Sequence, residues 1–255
     1  VPMTSIAPTV PTVPMVEYAV VSYVPQVQNG GITYTGLPAL PAVDYLIRDP
    51  KNEDQLSTQR IDFSFGVASD GKPHDQTVLN QQQFENWGTG ALAWDAISGE
   101  KVLYLTFDCG YEHTVNGQRV TEMILDALKE KDAKAVFFVT DYYCHQSPDL
   151  IRRMIDEGHA VGNHTSNHPV MPGQSIEKMV YEVTSLHNYV LENFGYTMKL
   201  FRPPTGAFSV QSLAVVHNLG YKNVHWSFAY LDYDTENQPD PAKALENMTS
   251  SAHNG

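Results

Sequence analysis

Leu105-Thr106-Phe107-Asp108-Cys109-Gly110-Tyr111-Glu112 is the stretch that decides how this chain is read. A β-type, largely apolar run from Lys101 to Phe107 stops abruptly at a carboxylate, a thiol and a glycine. Parallel α/β proteins present their chemistry at the carboxyl ends of buried strands. Asp108 and Cys109 therefore stand where reactive groups are expected. Taken alone, Asp108 reads equally well as a general base, a metal ligand or a structural cap.

Working outward from Lys101, strand-like runs alternate with helix-like runs. Val120, Met123, Ile124, Ala127 and Leu128 share one helical face, and Ala135 to Val139 is a short apolar strand. Ser147-Pro148 has the form of a helix start, Leu150, Ile151, Met154 and Ile155 form its stripe, and Gly158 ends it. His159 to Gly162 reads as the next strand. Apolar residues from Ile176 to Phe194 keep helical spacing for five turns; Leu200-Phe201, a helix from Ser209 to Leu219 and a strand at Val224 to Trp226 continue the series. Such alternation predicts an α/β fold of parallel βα units, with repetition that favours a barrel or partial barrel.

The first hundred residues differ. Eight of the 16 prolines lie in residues 1–50, and no Lys or Arg precedes Arg48. This part reads as an extended linker or a small β appendage, with β-type runs at Tyr18 to Val24 and Gly31 to Thr35. Residues 51–100 are polar and weakly periodic, and Trp87 and Trp94 within them call for burial against the main domain. The catalytic domain is expected over residues 101–255. A formal charge of −13 argues against nucleic acid as a partner, which requires clustered Lys and Arg. No run of 18 or more apolar residues predicts a membrane span. Two cysteines, Cys109 and Cys144, permit at most one bridge between them.

Three later segments carry matching chemistry. His164-Thr165-Ser166-Asn167-His168 places two imidazoles four residues apart, able to reach one metal ion, and a strand-to-loop turn beside Gly162 and Pro169 would bring the rings together. Phe201-Arg202-Pro203-Pro204-Thr205-Gly206 sets a rigid donor fork at a strand end, suited to pinning a carboxylate such as Asp108. Trp226-Ser227-Phe228-Ala229-Tyr230-Leu231-Asp232-Tyr233 ends another strand in an acid, readable as a partner of Arg202 or of an imidazole, or as a loop acid. Each signal is modest; their order along the chain is specific.

Together these segments resemble the polysaccharide deacetylases of carbohydrate esterase family 4, the NodB homology domain, over residues 100–255. Thr106 to Gly110 is similar to that family's first motif, His164 to His168 to its second, Arg202 to Thr205 to its third and Asp232-Tyr233 to its fourth. The fuller wording around Tyr111-Glu112, Phe208-Ser209 and Trp226-Ser227 resembles the branch that deacetylates N-acetylmuramic acid of peptidoglycan on the way to spore-cortex muramic δ-lactam. The resemblance implies a distorted (β/α) barrel and a hydrolysis assisted by a divalent metal, Zn²⁺ foremost. His164 and His168 would hold the ion, Asp108 would act as general base, and Arg202 backed by Asp232 would orient it. Tyr111, Pro204, Thr205 and Trp226 would line the substrate, with the Thr205 N–H near the developing oxyanion. The expected partner is the peptidoglycan glycan strand, and the expected location is extracellular or wall-associated, in a Gram-positive or spore-forming bacterium.

Two departures from the family pattern matter. The second Asp of its first motif is Cys109 here, which leaves three roles open: zinc ligand, spectator, or disulfide partner of Cys144. Nothing after Asp232 matches the family's Leu-x-His motif, so the expectation is a barrel lacking its last strand. The alternatives kept beside the muramic reading are a deacetylase of N-acetylglucosamine or chitin oligomers and a degenerate domain that binds glycan without hydrolysing it.

Overall fold

A computed structural model describes residues 26–28, 31–33, 49, 51–95, 101–230, 232–234 and 236–255. Most of the Pro-rich first 50 residues, including the Tyr18 to Val24 run, lie outside that set. In chain order the elements are β1 (Gln26–Gln28), β2 (Gly31–Thr33), α1 (Asp75–Trp87), β3 (Thr106–Cys109), β4 (Thr114–Val115), β5 (Gln118–Arg119), α2 (Val120–Glu130) and β6 (Val136–Val139). There follow α3 (Asp141–Gln146), α4 (Pro148–Asp156), β7 (Ala160–Asn163), α5 (Ile176–Phe194), β8 (Leu200–Phe201), α6 (Val210–Asn218), β9 (Lys222–Asn223) and α7 (Pro241–Ser250).

The central sheet is parallel, in the order β3-β6-β7-β8-β9. The register pairs Asp108 with Phe138 and Val139 with Asn163, so the strand ends lie level and their following residues share one rim. Beyond β9, Val224 forms a parallel bridge with Leu92. The Asp95 N–H donates to the Gly255 carbonyl, and the Gly255 N–H donates to that of Val102, just ahead of β3. These bonds carry the hydrogen-bonding round from β9 towards β3, as the distorted barrel requires.

The helices bury the apolar face of this sheet because their stripes match it. Leu150, Ile151 and Met154 of α4 are buried, as are Met179, Val180, Val183, Leu186 and Val190 of α5, against Phe137, Val139 and Val161. Ser175 caps α5 by accepting from the Lys178 N–H, and Gly195 ends it in the left-handed conformation at φ 67°. Several local expectations shift. The buried positions of α2 are Thr121, Leu125 and Leu128, with Met123 exposed, so its face is turned by one residue. Ser147 closes α3 through its N–H to the Tyr143 carbonyl and makes no side-chain cap to α4. The last strand is Lys222–Asn223 rather than Val224 to Trp226; Val224 still donates its N–H to the Phe201 carbonyl at 2.7 Å and forms only an isolated bridge to Leu92 on its other side.

Residues 51–95 form a layer against α6 and β9. Ile61 bridges Phe208, and Phe63 and Phe84 pack with Ala91, Ala93, Phe208 and Leu213 in a second apolar cluster. Helix α1 is the element that periodicity does not reveal. Its buried residues are Thr77, Gln81 and Phe84, and Gln81 accepts from the Ala93 and Trp94 N–H groups at 2.9 and 3.3 Å. Polar contacts of this kind hold a helix without an apolar stripe. The Trp94 indole N–H donates to the Asn254 carbonyl at 2.9 Å.

Candidate active site

Asp108 stands next to last in β3 with 39% of its side chain exposed at the rim. Arg202, the residue after β8, is buried and donates from Nη1 to Asp108 Oδ1 at 2.8 Å. Its Nε donates to the Val224 carbonyl at 3.2 Å and its Nη2 to the His225 carbonyl at 3.0 Å. The guanidinium carbon also lies 4.3 Å from the Phe138 ring centroid and 5.4 Å from that of Trp226. Burial pulls the guanidinium below its ordinary pKa, and the Asp108 carboxylate opposes that. Fixed on three acceptors and between two rings, the fork has little freedom to release Asp108.

His164 follows β7 and is buried. Its Nδ1 meets the Arg202 carbonyl at 2.8 Å. A carbonyl only accepts, so Nδ1 carries the proton and Nε2 presents a lone pair. Burial pushes the His164 pKa down, with Asp108 opposing. His168 Nε2 stands 3.2 Å from His164 Nε2, and Asp108 Oδ2 stands 3.9 Å from the same nitrogen. The turn that joins the two rings is strained: Thr165 and His168 have φ of 70° and 55°. Each such residue costs roughly 1–3 kcal/mol and persists only where its surroundings over-determine it. Here Thr165 N–H donates to Asn163 Oδ1 at 2.9 Å, and His168 N–H donates to Thr165 Oγ1 at 2.9 Å. Asn167 is held from behind by Glu182.

The donor set fits a zinc ion. Two nitrogens on one tetrahedral zinc at about 2.0–2.1 Å stand roughly 3.3 Å apart, and the two Nε2 atoms meet at 3.2 Å. Among the described residues no group of three or more His, Cys, Asp or Glu is gathered closely enough to be a metal cage. The two imidazoles are the residues here that could hold such an ion.

Cys109 does not join them. Successive strand residues face opposite ways, so with Asp108 at the mouth Cys109 points into the helix-side core and is 5% exposed. Burial, and then the charges of Asp108 and Glu112, push its thiol well above the ordinary range. Cys144 is also buried and its thiol also raised by burial. Both are free thiols, which corrects the disulfide expectation, and among the described residues Cys109 joins no group of three with the two imidazoles, which corrects the zinc-ligand one.

Asp232 departs from its expected place behind Arg202. The donors of Arg202 go to Asp108 and to two backbone carbonyls, and among the described residues Asp232 forms no ion pair with it. Burial, and then the charge of Asp108, raise the Asp232 pKa, so it lies in the field of the same carboxylate. Of the expected substrate residues, Tyr111 is exposed, Pro204 is buried and Thr205 is exposed. Thr205 sits at φ 61° in a turn spanning Pro204–Gly206. Trp226 is half-buried and packs edge-on to Phe63 at 5.2 Å. It also covers Gly206, where a Cβ would come within 2.6 Å of the indole at φ +73°, so no side chain fits there. His253 Nε2 lies 2.8 Å from Ser227 Oγ and ties the C-terminal residues to this strand end.

The residue that sequence reasoning missed is Glu182. A carboxylate three residues after Met179 and four before Leu186 lies on the buried stripe of α5, and that misplaced charge was the available signal.

The sequence model of the polysaccharide deacetylase family matches residues 95–224, a span that contains Asp108, His164, His168 and Arg202. An uncharacterised 30.6-kDa protein of Geobacillus stearothermophilus is 41% identical over 201 residues, which cover 78% of this chain and 73% of that one. The peptidoglycan-N-acetylmuramic acid deacetylase PdaA of Bacillus subtilis is 40% identical over 157 residues, which cover 61% of this chain and 58% of PdaA. The solved structure of B. subtilis PdaA, a family 4 carbohydrate esterase, superposes with a TM-score of 0.71 at 32% identity, over 78% of this chain and 82% of that one. With a parallel sheet that carries a carboxylate, a paired imidazole turn and a buried arginine at its rim, and with the family model matching more than half of its length, this chain belongs to the polysaccharide deacetylase family.

Proposed function

We propose that this protein is a zinc-dependent N-deacetylase of peptidoglycan that acts on N-acetylmuramic acid and works at the bacterial cell wall. The observation that carries the reading is the 3.2 Å approach of the two Nε2 atoms beside a base pinned by Arg202. A zinc ion held by His164 and His168 would supply Lewis acidity and lower the pKa of water at the site. Arg202 occupies Asp108 Oδ1 and leaves Oδ2 turned towards His164, where it takes the proton of the attacking water. The buried guanidinium keeps that carboxylate aimed. The proton on His164 Nδ1 is held by the Arg202 carbonyl, so Nε2 remains a donor of electrons and not of protons. The backbone N–H of the exposed Thr205 turn is the group assigned to the acetyl oxygen as negative charge develops. Water adds to the acetyl carbonyl as its proton passes to Asp108, Asp108 returns that proton to the nitrogen as the C–N bond breaks, and acetate and the sugar amine result. The muramic preference is supported by the PdaA likeness, and the extracellular location follows from where that substrate lies.

Purified protein with added Zn²⁺ should release acetate from isolated peptidoglycan glycan strands. Mass spectrometry of the digested strands should place the new free amine on muramic acid. Acetate without muramic amine, matched by glucosamine amine or by turnover of chitin oligomers, would overturn the sugar assignment. Binding of glycan with no acetate at any zinc concentration would overturn the enzyme assignment in favour of a glycan-binding domain.

A further inference from the structure

Glu182 sits inside α5 with no exposed surface, on the stripe that faces the sheet. Its two carboxylate oxygens are both aimed at one residue of the histidine turn. Oε2 accepts from the Asn167 backbone N–H at 2.8 Å, and Oε1 accepts from the Asn167 side-chain amide at 3.0 Å. The Glu182 carbonyl accepts from the Ser166 N–H at 3.0 Å, and Ser166 Oγ bonds Ser185 Oγ one turn further along the helix. Lys178 Nζ lies 2.7 Å from Oε1 and compensates the buried charge. Burial alone would raise the Glu182 pKa; Lys178 and Asn167 overcome it and hold the carboxyl below its usual range.

A buried carboxylate needs partners, and a long helix offers an apolar alternative at that position at lower risk. The place where this one spends its acceptors is informative. Asn167 directly precedes His168, whose φ of 55° is unfavourable for a residue other than glycine. On the other side, Thr165 and Asn163 brace the turn from within. The Glu182 contacts, with the Ser166–Ser185 bond beside them, tie its middle to a rigid helix, and the orientation of a ligating imidazole is set by such supports.

We propose that Glu182 is a positioning residue for the metal-binding turn, holding Asn167 so that His168 Nε2 converges with His164 Nε2. This rests on the reading of the two histidines as zinc ligands. Glu182 touches neither substrate nor metal; it acts through the backbone of Asn167. Its removal therefore weakens ion binding and leaves the chemical step intact once the ion is bound.

The test is competition for Zn²⁺ alone between a chromophoric chelator and the protein, with thermal unfolding measured alongside. Glu182→Gln keeps shape and one acceptor but cannot accept both Asn167 bonds. It should weaken zinc binding roughly 10- to 100-fold, while kcat at saturating zinc stays within about twofold of the parent. Asn167→Ala alters an exposed side chain, leaves the fold intact and removes one of the two bonds, so it should weaken zinc binding by a smaller factor. If Glu182→Gln does not fold, the Asn167→Ala result decides. Parent-like zinc affinity in the folded Glu182→Gln protein, or in Asn167→Ala where that variant decides, overturns the proposal even if thermal stability falls. A parent protein that binds no zinc overturns the metal reading and this inference together; tight parent binding unchanged in the variants overturns this inference alone.

Discussion

Asp108 and Cys109 are consecutive on β3, and they separate two regions built from similar side chains to opposite effect. At the mouth, Asp108, His164, His168 and Arg202 meet one another and leave an oxygen and two nitrogens facing a common point. On the helix side, Cys109, Tyr143 and Cys144 are sealed in the core, and nearby His187 and Tyr221 hydrogen-bond each other. Burial at the mouth is combined with fixed charges and strained turns, which keep groups reactive. Burial is the largest cause on the helix side, raising both thiols and the Tyr143 phenol and lowering His187 to about 4. Reactivity here follows from which face of the sheet a residue occupies more than from its chemical type.

The sharpest break is expected at the mouth. Asp108→Asn keeps the side chain's shape and removes the base, so acetate release should fall roughly 10²- to 10⁴-fold; a drop below tenfold would move the base elsewhere. Arg202→Met should act on both activity and stability. It strands the Val224 and His225 carbonyls and frees Asp108, and it should lower stability by about 2–4 kcal/mol in urea titrations together with activity.

The helix side should instead answer to pH. His187 has a folded pKa of about 4, below the ordinary value of 6.5. Its contribution to stability is therefore complete above pH 6.5 and is lost as pH falls through 4. The full effect is about 3 kcal/mol. Urea midpoints at pH 7.5 and pH 4.5 should differ less in His187→Gln than in the parent, and equal differences would reject the assignment. Smallest of all, Cys109→Ala should leave zinc binding and acetate release unchanged and lower stability by about 1 kcal/mol. Two titratable thiols should appear in the parent only on unfolding. Loss of zinc affinity in Cys109→Ala would restore the thiolate role.

Much of the mouth was legible because each of its groups ends a strand, and strand ends are marked by where apolar runs stop: Asp108, the His164 turn and Arg202 all follow such runs. The facing of Cys109 was also legible in principle, since two neighbours on a strand cannot share a face. What sequence did not reveal depends on contacts made at a distance. Helix α1 holds the buried Gln81 through hydrogen bonds to residues 12 and 13 positions away, which leaves no apolar period to count. Asp232 read as a partner of Arg202 because both are charged, whereas Val224 and His225 supply the acceptors with backbone oxygens that every sequence carries. Glu182 stood out only as a charge among apolar neighbours, and its target 15 residues away is defined by the fold.

Arg202 is bound to both halves of the reacting pair: its carbonyl to His164 and its guanidinium to Asp108. A displacement of β8 therefore carries the imidazole and the carboxylate in the same direction, as two instruments bolted to one bench move together when the bench shakes. Thermal motion of the sheet enters the separation of base and ligand only as a difference between two nearly equal shifts. Alignment at this rim is thus protected by shared attachment, and a barrel strand two residues long suffices to keep it.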